Sequence, residues 1–181
     1  MNKTNLFILS GIAMILVGVV MLFSKNIGIS TSKIVLPLLL LLSGFTTFKF
    51  ALVNEQNKTA SIFHKIQGGL FIVFSALVIF VPDSLKSFLL YFTYFCLCYG
   101  LIEIMFSFAM LSSKVAIKKN MVMYRFISGF VNAIGAIVLL LTVLSNEFLG
   151  LQAAGILTIV GGVSSVLFAQ KVSALASALR Y

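Results

Sequence analysis

One acid and one base lie well inside otherwise apolar stretches of this sequence, Glu103 and Lys49. Ionisable groups at membrane depth are the default candidates for function, because each is costly to keep there. Glu103 has company: Cys96, Tyr99 and Ser107 stand at i−7, i−4 and i+4, a polar stripe along one helix face. A carboxyl in such a stripe either hydrogen-bonds a neighbouring helix in its protonated form or takes up a proton as the outside acidifies. Lys49 lies four residues from the end of its stretch, about 6 Å deep, and Glu103 eight residues from the end of its own, about 12 Å deep. Lysine at that depth extends its stem to the headgroups, yet it also reaches the level of Glu103. Asn132, with Ser128 one turn before it, forms a second polar face; its expected role is an interhelical hydrogen bond worth about 1 kcal/mol. The expected nearest partner of Glu103 is therefore Lys49 or Asn132. His64 reads as an interfacial, solvated side chain with no acid nearby.

No nucleophile elbow, zinc-binding histidine pair, phosphate loop or pair of intramembrane acids is present. Asp83, Glu55 and Glu147 each stand alone. With four acids and one histidine in 181 residues, the expected protein is non-enzymatic, with no catalytic residues, cofactor or metal. Cys96 and Cys98, two apart on one helix, point to different faces and cannot bridge; both read as spectator thiols.

Six apolar stretches must position these residues: Leu6–Phe23, Ile34–Val53, Ile66–Pro82, Ser87–Leu111, Phe126–Leu144 and Leu149–Ala169. A hydrocarbon core of about 30 Å needs roughly 20 apolar residues as helix, and within lipid only helices and closed barrels satisfy their backbones. The predicted fold is all-α, a polytopic membrane protein of six transmembrane helices forming one domain over residues 1–181. At 61% hydrophobic and 9% charged the chain is not a water-soluble domain. Its net charge of +9 belongs to the membrane edge, which argues against nucleic acid as a partner. The first stretch is longer than a signal-peptide core and ends without a small-x-small cleavage site, so it reads as retained.

Counted gap by gap, nine basic residues (Lys3, Lys58, Lys65, Lys114, Lys118, Lys119, Arg125, Lys171, Arg180) fall on one side. Three (Lys25, Lys33, Lys86) fall on the other. The positive-inside rule places both termini in the cytoplasm, with anionic lipid headgroups at that face as expected partners.

Three segments, approximately 6–53, 66–111 and 126–169, follow one plan. Gly11, Gly68 and Gly129 open the first helices, and Gly44, Gly100 and Gly162 sit midway in the second, 32 or 33 residues later. Seven residues after the first glycines stand Gly18, Ser75 and Ala136; six and seven after the second stand Phe50-Ala51, Phe106-Ser107 and Phe168-Ala169. Two helices per unit make the repeats parallel, and small residues two turns apart read as packing seams. The sixth stretch, with Gly150, Ala154, Thr158, Gly161, Gly162 and Ser165, either sits centrally or forms a homo-oligomer face.

These two-helix units resemble the HdeD family of bacterial acid-resistance membrane proteins over nearly the whole chain, from Leu6 to Ala169. Val81-Pro82, closing the third stretch, matches that family's proline after the first helix of a unit; Leu22-Phe23 and Val143-Leu144 do not, and tryptophan is absent. The resemblance implies a bacterial inner-membrane protein without catalytic residues, linked in some members to acid stress. The alternatives are a small transporter or channel with Glu103 in its path, and a membrane assembly or scaffold subunit. A transporter would want several converging polar residues and broken helices; one strong polar residue and one proline break, Pro37 near the outer end of the second stretch, count against that alternative.

Overall fold

The computed structural model describes residues 3–54, 57–80, 84–113, 119–142 and 146–178. Six helices follow in order: α1 (Lys3–Ile27), α2 (Ile29–Val53), α3 (Lys58–Phe80), α4 (Leu85–Ser112), α5 (Lys119–Thr142) and α6 (Glu147–Ala178). All six are long and apolar enough to cross a membrane, and the chain is a multi-pass membrane protein. Val81-Pro82, Asp83, Glu55, Lys114, Lys118, Val143-Leu144 and Arg180 lie outside the described residues.

The helices outrun the apolar stretches. α3 begins at Lys58 instead of Ile66, and α5 at Lys119 instead of Phe126, because a helix entering from the interface completes its hydrogen bonds whatever the polarity of its outer turns. Side chains cap three starts: Asn57 Oδ1 accepts from Ala60 N at 3.1 Å, Ser84 Oγ from Ser87 N at 3.2 Å and Asn146 Oδ1 from Leu149 N at 3.2 Å. Pro37 does not break α2, which runs through it; the Pro37 carbonyl accepts the Ser75 hydroxyl of α3 at 2.7 Å.

Between α1 and α2 the expected turn shrinks to one residue, Gly28, at φ 91° and ψ 143°. Only glycine holds that conformation without strain. A Cβ there would touch nothing, so Gly28→Ala should cost about 1–3 kcal/mol from backbone strain alone. A lowered thermal midpoint with unchanged helix content would show it.

Packing follows the glycines. A Cβ on Gly11 would lie 2.9 Å from the Gly162 carbonyl, on Gly44 3.0 Å from that of Gly68, and on Gly100 2.7 Å from that of Gly129. These contacts join α1 to α6, α2 to α3 and α4 to α5, the three most extensive helix pairs. One side of each helix thus faces a neighbour at backbone distance. The other presents residues such as Ile34, Phe45 and Leu141 outward, where lipid replaces a protein core. The α6 glycines point within the chain: Gly155 faces Gly18, Gly161 faces Tyr99 and Gly150 faces Leu89. Between the helices, Met14, Leu40, Phe71, Phe92 and Phe95 fill one half of the interior. Phe7, Phe50, Phe106 and Phe168 fill the other, near the end where α1, α3 and α5 begin.

Candidate functional site

Glu103, on α4, is fully buried, and its partners are Arg125 of α5 and Gln67 of α3. Neither expected partner reaches it. Lys49 is exposed on α2, with its long stem free to follow the headgroups. Asn132 is buried but donates its amide to the Ser128 carbonyl one turn back, at 3.0 Å, and its Oδ1 has no partner.

Arg125 counts, by sequence, among the basic residues of the gap before the fifth stretch. It lies six residues into α5 and is 1% exposed. Its fork is bidentate on Glu103: Nε donates to Oε2, and Nη2 to Oε1. Nη2 also donates to Gln67 Oε1 at 3.1 Å. Planar guanidinium suits this two-oxygen geometry better than an ammonium. Nη1 has no hydrogen-bond partner. Aromatic rings surround the guanidinium instead: Cζ lies 3.9 Å from the Phe106 ring centroid, 5.0 Å from Phe168 and 5.5 Å from Phe7. Out of water, such cation–π contacts are worth about 2 kcal/mol or more. An isolated ion here would cost several kcal/mol; Glu103 and the ring faces together offset that.

Gln67 completes the set. Its Nε2 donates to Glu103 Oε1 at 3.0 Å, and its Oε1 accepts from Arg125 and lies 3.3 Å from His64 Nδ1. His64 is not solvated as expected. It is 1% exposed, with its ring 4.7 Å from Phe7, 5.1 Å from Phe50 and 5.3 Å from Phe106. The α3 extension from Ile66 back to Lys58 carries it inward, and its acid, Glu103, is one glutamine away.

The polar stripe of α4 is buried throughout, but only part of it serves Glu103. Tyr99 Oη donates to the Gly161 carbonyl at 3.1 Å and lies 3.3 Å from Ser165 Oγ, tying α4 to α6. Cys96 Sγ is 3.8 Å from the Ala154 carbonyl and from Thr158 Oγ1. Ser107 returns its hydroxyl to the Glu103 carbonyl at 2.8 Å. A separate knot on α1 and α2 joins Ser10, Ser43 and Thr47, with hydroxyls 2.6 to 2.8 Å apart.

Two members that sequence reasoning misplaced, His64 and Arg125, had a sequence signal, whereas Gln67 had none. Phe7, His64 and Arg125 each precede by four residues the glycines 11, 68 and 129. Thr47, Glu103 and Ser165 follow by three the glycines 44, 100 and 162. Reading those offsets across the segments would have put Arg125 on an inward face. As chemistry, the arrangement is a neutralised, water-excluded ion pair with a histidine attached. Among the described residues no three His, Cys, Asp or Glu side chains group to hold a metal. Compared with models of known protein families, with curated proteins and with solved structures, the chain matches none.

Proposed function

We propose that this chain is a non-enzymatic protein of the bacterial cytoplasmic membrane, akin to the HdeD proteins, that contributes to tolerance of acid or envelope stress. One observation carries the reading: the one acid deep in the bundle among the described residues is held by Arg125 and Gln67, with its cation walled by Phe7, Phe106 and Phe168. A group so occupied is poorly placed for substrate chemistry. A proton delivered to Glu103, however, removes the charge that balances Arg125 and turns a stable contact into a buried, uncompensated cation. That is the property wanted of a part that responds to acid. The same filled interior weighs against the transporter reading.

Support for three parallel repeats comes from the order of the contacts. The second glycine of each unit meets the first glycine of the next, Gly44 with Gly68, Gly100 with Gly129 and Gly162 with Gly11. Phe50, Phe106 and Phe168 alternate with Phe7, His64 and Arg125 around the same centre. Both features follow from a ring of three like units.

Orientation keeps its support with Arg125 withdrawn from the tally, since eight basic residues still face three. In this reading the Phe7 end is cytoplasmic, with anionic headgroups its nearest partners. An impermeant thiol reagent applied to intact cells should then label a cysteine at Ser30 and spare one at Asn120; the reverse pattern would invert the topology.

Survival of a deletion strain under acid, osmotic and detergent challenge tests the function. Glu103→Gln alone is a poor probe, because an amide leaves the Arg125 charge unbalanced. The paired change Glu103→Met with Arg125→Met should accumulate in the membrane and yet fail to restore acid survival. Full restoration by that pair would make the cluster purely structural.

A further inference from the structure

The ring of helices leaves a cleft of about 150 Å³ at the end where α3 and α5 begin. Phe50, Met110, Met121, Phe168 and Val172 give it apolar walls, Asn54 and Asn57 stand along it, and among the described residues His64 is its one titratable group.

The hydrogen bonds around Gln67 decide what His64 offers to it. Gln67 Nε2 donates to Glu103, so its Oε1 is the acceptor facing Arg125 and His64. A neutral imidazole can satisfy an acceptor at Nδ1 only by donating from it, which leaves a lone pair on Nε2. Among the described residues the Gln67 contact is the one hydrogen bond of His64. No group among the described residues donates to that lone pair, and the imidazole lines the cleft. The groups around the imidazole offer no replacement. Phe7 of α1, Phe50 of α2 and Phe106 of α4 present rings, and the two charges nearby, Glu103 of α4 and Arg125 of α5, are bound to each other.

Water meets the polar groups of the cleft but leaves the walls of Met110, Met121 and Phe168 without apolar contacts. An apolar cavity of about 150 Å³ takes one molecule the size of benzene. We infer that this cleft is a binding site for a small undissociated monocarboxylic acid, whose O–H donates to His64 Nε2 and whose alkyl tail lies against Met110, Met121 and Phe168. The acid carbonyl then has the amide groups of Asn54 and Asn57 within the same cleft as donors. An alcohol could give the same first bond but leaves those amides unused. An ionised carboxylate has no proton for Nε2 and must leave water for an apolar pocket, so it is refused. The inference rests on the transmembrane fold alone and is independent of the stress reading.

His64 is the only histidine in the chain, so protein labelled with ¹⁵N-histidine gives a single imidazole signature. Titrating the full chain in lipid nanodiscs with pentanoic acid should move the Nε2 resonance saturably, beyond the shift seen with pH alone. Above the pKa of the acid, the total concentration for half-saturation should rise tenfold per pH unit, because only the protonated form binds. Ala60→Leu, which grows a side chain into the cleft, should keep the unliganded signal and lose the response; Val172→Phe provides the same test should Ala60→Leu lower the thermal midpoint. A resonance indifferent to pentanoic acid would overturn the site. Equal response to pentan-1-ol, or half-saturation at constant total acid across pH, would overturn the ligand class. Failure of the growth experiment would leave this measurement unaffected.

Discussion

Arg125→Met is expected to cost about 3–5 kcal/mol, the penalty of leaving a buried charge without its partner. Glu103 then faces Gln67 alone, and the aromatic wall loses the cation it encloses. With Glu103→Met added, both charges are gone and well-packed apolar side chains replace them, an exchange that is often neutral or even stabilising. The double variant should therefore recover most of the stability lost by the single one. Thermal midpoints in matched nanodiscs measure this directly. Equal losses in the single and double variants would mean that packing of the Arg125 stem, not charge pairing, holds these helices.

The second large effect concerns glycine, and its sign depends on position. A Cβ on Gly100 would fall 2.6 Å from Ala133 N and 2.7 Å from Gly129 O. Both are backbone atoms that cannot rotate aside, so α4 and α5 must separate. Overpacking of this kind costs about 1–3 kcal/mol or more, and these two helices also carry Glu103 and Arg125, so separation stretches the ion pair. Gly69 has no atom within 4 Å of the same Cβ; there alanine should stabilise by up to about 1 kcal/mol through helix propensity. Opposite shifts in thermal midpoint for Gly100→Ala and Gly69→Ala are the expected result. Shifts of the same sign would remove the argument that close backbone approach organises the bundle.

Length and hydropathy made the six helices legible, because hydrocarbon thickness imposes a simple rule on sequence. The glycine spacing told which residues are special, but not which helix each would meet; that depends on how the pairs close, with α1 against α6. The site was half visible. Glu103 stood out as an acid in an apolar run. Arg125 and His64 were discounted because each sits beside a loop in the sequence, where charge ordinarily means solvent. The hydropathy boundary and the helix boundary are different things: α3 and α5 start about two turns earlier than their apolar stretches, and those outer turns point polar side chains inward. Gln67, neutral and unremarked, supplies the link between histidine and ion pair that no charge count could reveal.

The pairing of α1 with α6 has a bearing on biogenesis. The glycine face of α1 can be covered only after everything from Gly28 to Asn146 has been synthesised. At about 5–20 residues per second, that delay is on the order of ten seconds. Through that interval the nascent first helix has only lipid, or a chaperone of the insertion machinery, against Gly11 and Gly18. Ribosomes stalling before α6 would release chains with that seam still open, a marker by which membrane quality control can tell an unfinished molecule from a completed one.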